Sequence, residues 1–171
     1  TDVNADGNLS NEPVGGILDQ WRDKSGANRH AGNGMGPEVR VDRWNELSTL
    51  KFDGLSQYFR VSDSSAFDFG EDATIFIVAK GDTLSDWRPI LSKRGMDDVG
   101  WQFRKDNTDF ATFTVRGTTG NAGQRGATPI NGETHVWAMR KSQFKRTQWA
   151  DGNEEFNIDD RDPVPATTSD L

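Results

Sequence analysis

Apolar residues in this chain come in short runs that alternate with polar ones, and Gly, Asp or Asn turns cut them roughly every ten residues. No segment holds a helical period over a useful length. A chain punctuated in this way folds as strands joined by tight turns. Hydrophobic residues are only 33% of the total, but six Trp and ten Phe carry much of the apolar volume. Aromatic side chains favour the pleated, half-buried surface of a sheet, so the composition agrees with the punctuation.

The runs can be followed along the chain. Residues 18–21 alternate weakly. Leu50 and Phe52, then Phe59 and Val61, alternate around the turn of KFDG, with Phe52 expected in the core and Asp53-Gly54 in the turn. Residues 74–80 (TIFIVAK) are apolar on both faces, which predicts a strand central in its sheet. PILSKRG follows a loop that carries Trp87. GWQFR alternates cleanly, with Trp101 and Phe103 inward and Gln102 and Arg104 outward. Residues 110–117, 134–142 and the stretch RTQWADGNE complete the set, the last two joined by a polar turn at 143–145. This spacing predicts an all-β fold, a sandwich of two antiparallel sheets. Residues 1–15 read as a polar Asp/Asn/Gly segment, 16–153 as the sandwich, and 154–171 as a polar tail or truncated C-terminal part. There is no internal repeat and no sign of a second domain.

A net charge of -7 and a pI of about 4.8 argue against nucleic acid and anionic membrane surfaces as partners, because nothing basic is clustered to displace counterions. The most basic stretch, MRKSQFKR, reads as a solvated hairpin tip. The absence of cysteine excludes disulfides, thiolate-bound zinc and thiol catalysis. No run reaches transmembrane length. The chain opens on a polar turn and is expected to be a segment of a longer protein.

Motifs for chemistry are sparse. Asp2, Asn4 and Asp6 alternate ahead of Gly7, like the start of a calcium loop. The closing carboxylate of such a loop would stand at Pro13, so the stretch reads first as a polar turn, with a looser calcium loop as the alternative. Ser56 lacks a nucleophile-elbow frame, and His30 and His135 are far apart in sequence. No strand carries alternate carboxylates facing one side, as glycan-cleaving sandwiches do. An enzyme is therefore not expected, although two carboxylates could still meet from separate strands.

Three stretches taken together carry a resemblance: WRDKSG at 21–26, FDG at 52–54 and WADG at 149–152. With the strand order, residues 16–153 resemble the laminin-G-like, concanavalin A-like lectin/glucanase superfamily, and most closely the bacterial LamG-like jelly-roll domains. The motifs also have local reasons. Asp23 can accept from nearby backbone N–H groups while Gly26 turns the chain, and Asp151-Gly152 can turn a hairpin. The resemblance implies a jelly-roll sandwich that acts as a non-catalytic carbohydrate-binding or adhesion module, with calcium at a rim site in some relatives. It implies a polysaccharide or glycan partner, or a protein, and a monomeric module within a multidomain extracellular or cell-surface bacterial protein. Relatives end in a further strand beside their first, and nothing after residue 153 looks like it, so the sandwich is expected to lack its last strand or strands. For the ligand, Trp87 is the stacking candidate, since no core period demands a Trp in LSDWRP; covering the end of the sandwich is its other role. Arg88 and Arg94 are the candidate donors beside it. The alternatives of another class are a structural or protein-binding spacer and a glycan-degrading enzyme fragment.

Overall fold

The computed structural model describes residues 15–32, 34–44, 47–68, 72–81, 87–95, 99–117, 122–161 and 171. The chain divides after Ser62 into two units, inside the 16–153 body read from the sequence.

The first unit is built on an antiparallel pair, β1 (Glu38–Trp44) and β2 (Leu47–Lys51), with Val39 opposite Leu50. Leu18 and Val39 are buried together, and Leu50 and Phe59 pack against them. Phe52 is not in this core. It is exposed and meets Phe59 edge to face at 6.0 Å. Two Asp-centred turns hold the loops. Asp23 accepts from the Ser25 hydroxyl (2.8 Å), the Ser25 N–H (2.8 Å) and the Arg29 N–H (3.0 Å), and Gly26 has a φ of 79°. Asp53 accepts from the N–H groups of Leu55, Ser56 and Gln57, each at 2.9 Å. These bonds favour the ionised carboxylate. The Ser25 hydroxyl, then the Ser25 and Arg29 N–H groups, lower the Asp23 pKa to about 2. The Gln57 and Leu55 N–H groups hold Asp53 well below the usual carboxylate range.

The second unit contains two four-stranded antiparallel sheets. One has the order β10-β9-β8-β3, from β3 (Ala73–Ala79), β8 (His135–Ser142), β9 (Lys145–Ala150) and β10 (Asn153–Asp159). The other is a simple meander of β4 (Pro89–Arg94), β5 (Gly100–Lys105), β6 (Phe110–Arg116) and β7 (Ala122–Pro129). Trp101, Phe103, Phe113 and Val115 from the meander share one buried cluster with Trp137, Met139, Ala150 and Phe156. The Phe103 and Trp137 rings lie 5.6 Å apart. This is the all-β sandwich that the alternation requires, and Trp101 and Phe103 point inward as expected.

Three local expectations are corrected. The strand expected at the sheet centre, β3, lies at an edge of its sheet among the described residues. Its alternation is real: Ile75 and Ile77 pack on the core, while Phe76 is 74% and Val78 50% exposed. The stretch 154–171, read as a polar tail, begins with β10, whose Phe156 is buried and whose Ile158 packs beside the core; Leu171 packs there too. A register shift between Glu154 and Phe156 interrupts its alternation. The basic stretch MRKSQFKR is only half solvated. Lys141 is buried and donates to the carbonyls of Ser142 (2.9 Å) and Asp160 (2.8 Å), and buried Arg146 faces the Asp160 carboxylate at 3.6 Å. Charge this deep is retained when it is hydrogen-bonded, as Lys141 is, or faces an opposite charge, as Arg146 does.

The β9–β10 hairpin turns on Asp151 and Gly152, with φ values of 51° and 82°. Two positive φ values in a two-residue loop make a type I′ turn, whose twist matches that of the strands. Asp151 also accepts from the Val136 N–H (2.8 Å) and contacts His135 Nδ1 at 2.7 Å, which ties the turn to β8. No helix among the described residues is long and apolar enough to cross a membrane.

Candidate functional site

The outward face of the β10-β9-β8-β3 sheet follows from its register. Phe76 stands opposite Ala138, and Ala138 stands opposite Trp149, so the three form one row across the strands. The next row is polar: Thr74 opposite Arg140, and Arg140 opposite Thr147. On the other side Val78 faces Val136, and both are exposed. The small Ala138 between two aromatic side chains leaves an open depression of about 740 Å³. It is lined by Asp72, Ala73, Thr74, Phe76, Ala138, Arg140 and Trp149. Two aromatic rings together with one cation, one carboxylate and a hydroxyl in the lining can bind a ligand with an apolar face and a hydroxylated edge.

Trp87 and Arg94, proposed from sequence, lie at the other sheet with Gln102 and Arg104, on a face where Gln102, Thr112 and Thr114 are buried. Trp87 is 50% exposed, and its φ is 60°. A bulky residue in the left-handed region is a genuine outlier. The Arg104 guanidinium lies 4.7 Å from the centre of the Trp87 ring, in cation–π range. Arg94 Nη1 (3.3 Å) and Arg104 Nη1 (3.2 Å) both donate to Gln102 Oε1, and Gln102 Nε2 reaches Ser92 Oγ at 3.4 Å. The structure thus joins Trp87 and Arg94 through Arg104 and Gln102, two residues read from sequence only as outward-facing. Arg88 follows Trp87, half-buried, and its carbonyl accepts from the Lys105 N–H at 2.9 Å.

Asp2, Asn4 and Asp6 lie outside the described residues. Among the described residues, no group of three or more His, Cys, Asp or Glu side chains is placed to hold a metal ion.

Phe76 and Trp149 were missed as surface residues because both sit in strands whose apolar content reads as core. A usable signal existed. The turn at Gln143 and Phe144 pairs Ser142 with Lys145, and counting back along both strands sets Ala138 against Trp149. That places Trp149 on the face opposite Trp137 and Met139.

Comparison of the chain with protein-family models, with curated proteins and with solved structures gave no match. The fold and the two surfaces therefore carry the functional argument by themselves.

Proposed function

We propose that this chain is a non-catalytic carbohydrate-binding module, a LamG-like jelly roll of the concanavalin A-like type, serving a larger extracellular or cell-surface protein. One observation carries the reading. Phe76 is exposed on the same open depression as Trp149, with Arg140, Thr74 and Asp72 beside them. An aromatic ring on an edge strand adds nothing to the core and increases the risk of aggregation. It is well suited to stack on the apolar C–H face of a pyranose, while neighbouring polar groups hold the hydroxyls. The Trp87–Arg104 pair is a second aromatic surface of the same kind. Calcium belongs to this reading through Asp2, Asn4 and Asp6.

The test is a pull-down on a panel of insoluble and gel-embedded polysaccharides, in calcium and in chelator, with the wild type, Phe76→Ala and Trp87→Ala. Retention that Phe76→Ala abolishes supports the sheet-face site, and loss with Trp87→Ala alone moves the site to the meander. Loss in chelator implicates the N-terminal oxygens. No retention on any polymer overturns the reading. The spacer alternative draws on the outer edge of β3, which no described strand covers, and predicts protein capture with no sugar binding.

A further inference from the structure

Resting on the glycan reading of the β3–β8–β9 face, we infer that its ligand is a single, extended, uncharged chain of β-1,4-linked hexoses that lies across the strands. Phe76 and Trp149 occupy one cross-strand row with Ala138 between them. They are therefore two strand spacings apart, about 10 Å. Along an extended chain of β-1,4-linked glucose units, successive residues alternate in the face they present, and residues n and n+2 present the same face at about twice the length of one ring. Two rings one strand apart would meet opposite faces. Two rings with a small residue between them meet like faces and leave the middle sugar room over Ala138. An α-linked chain curls, and its alternate residues turn away from a straight row.

The neighbouring rows fit the edges of such a chain. Thr74 and Arg140 lie along one side and can reach equatorial hydroxyls, while Val78 and Val136 make the other side apolar. The depression holds Arg140 and Asp72, one charge of each sign, on a chain of net charge -7. A polyuronate would meet a repulsive field. Strands in a sheet are also rotated by roughly 20–25° from one to the next, so the strands bearing Phe76 and Trp149 differ by about twice that. The platform is twisted, and a free chain can follow it where the flat face of a crystalline polymer cannot.

The experiment is calorimetric titration with β-1,4-linked gluco-oligosaccharides of two to six units, set beside α-1,4-linked gluco-oligosaccharides and oligouronates of matched length, together with a crystalline-cellulose pull-down. The wild type should gain about tenfold in affinity when the ligand becomes long enough to cover both rings, since one added ring stack is of that order. In Phe76→Ala the gain should vanish while the affinity for the disaccharide stays within about twofold, and Phe76→Tyr should restore it. Circular dichroism of the variants confirms folding, which the exposure of Phe76 favours. Sugar binding with no length dependence, with equal or better affinity for α-linked or anionic chains, or with preference for the crystalline face overturns this inference and leaves the glycan reading standing. No binding to any sugar overturns both.

Discussion

Where the two sheets meet at their β7 and β10 edges, one carboxylate fastens them. Glu155 Oε1 accepts from the backbone N–H groups of Ala127 (3.0 Å) and Thr128 (2.6 Å). Its Oε2 accepts from Gln148 Nε2 at 2.5 Å, and that amide also reaches the Ala111 carbonyl at 3.4 Å. Gly126 completes the fit, because a Cβ there would stand 2.1 Å from Glu155 Oε2 and 2.5 Å from Gln148 Nε2. Hydrogen bonds to a charged group contribute about 1.5–3 kcal/mol each. Glu155 is half-buried and water can replace part of this, so Glu155→Ala should cost about 2–4 kcal/mol in all. Gly126→Ala should cost nearly the same by a different route, since the new methyl expels the carboxylate from its three donors. The double variant is the informative one. With the carboxylate gone, the Gln148 amide can move into the vacated space, and the methyl meets nothing fixed. The double variant should therefore cost about 2–4 kcal/mol, not the sum of the two, which corresponds to a coupling of roughly 2 kcal/mol or more. Urea unfolding of the four proteins with a common m value measures this. Additive costs would refute the argument, because they would mean that Gly126 is needed for some reason unrelated to Glu155.

Other outcomes follow from the same packing. Asp160→Ala removes the carboxylate facing buried Arg146 and should cost about 3–5 kcal/mol in urea unfolding, as loss of one partner of a buried pair does. Gly152→Ala places a Cβ at a φ of 82° in the type I′ turn and should cost about 1–2 kcal/mol, read from the urea midpoint. Asp23 has a depressed pKa in the folded chain, so its contribution to stability is complete above the unfolded value of about 4 and is lost as pH falls from there toward 2. The difference in urea midpoint between wild type and Asp23→Asn should therefore be largest near neutral pH and shrink through that window. A difference that grows on acidification would reverse the sign and remove the explanation.

The sequence was readable where a local rule decides the outcome. Trp101 and Phe103 alternate with Gln102 and Arg104 because period two is the geometry of a strand. Asp151-Gly152 and the Asp23 turn needed only their own neighbours. It was less readable where the outcome depends on something distant. TIFIVAK is apolar on both faces, a pattern shared by a strand buried between layers and a strand with one face on the core and one exposed, as Phe76 and Val78 are. Lys141 and Arg146 look solvated until Asp160, fourteen residues beyond Arg146, brings a backbone carbonyl to Lys141 and a carboxylate to Arg146. Glu154 and Glu155 look like the start of a tail because the register shift between Glu154 and Phe156 puts Phe156 and Ile158 out of phase with the residues before them. Trp87 was singled out from its loop, but Arg104 beneath it depends on the pairing of β4 with β5.

The placement of β3 also sets an order of events as the chain folds. β8, β9 and β10 are joined by tight turns, and so can zip up locally, as can successive strands of the meander. β3 is synthesised before all of them, yet its described partner is β8, on the far side of the whole meander. Closing so long a loop is slow, and non-local pairing is the part of folding that limits rate. During that wait β3 carries Ile75 and Ile77 on one side and Phe76 and Val78 on the other, with neither edge sealed. Phe76 and Val78, exposed in the folded sheet as well, are then open to another copy of the chain. Lowering protein concentration should raise refolding yield more than it changes equilibrium stability, and Phe76→Lys should raise the yield at high concentration.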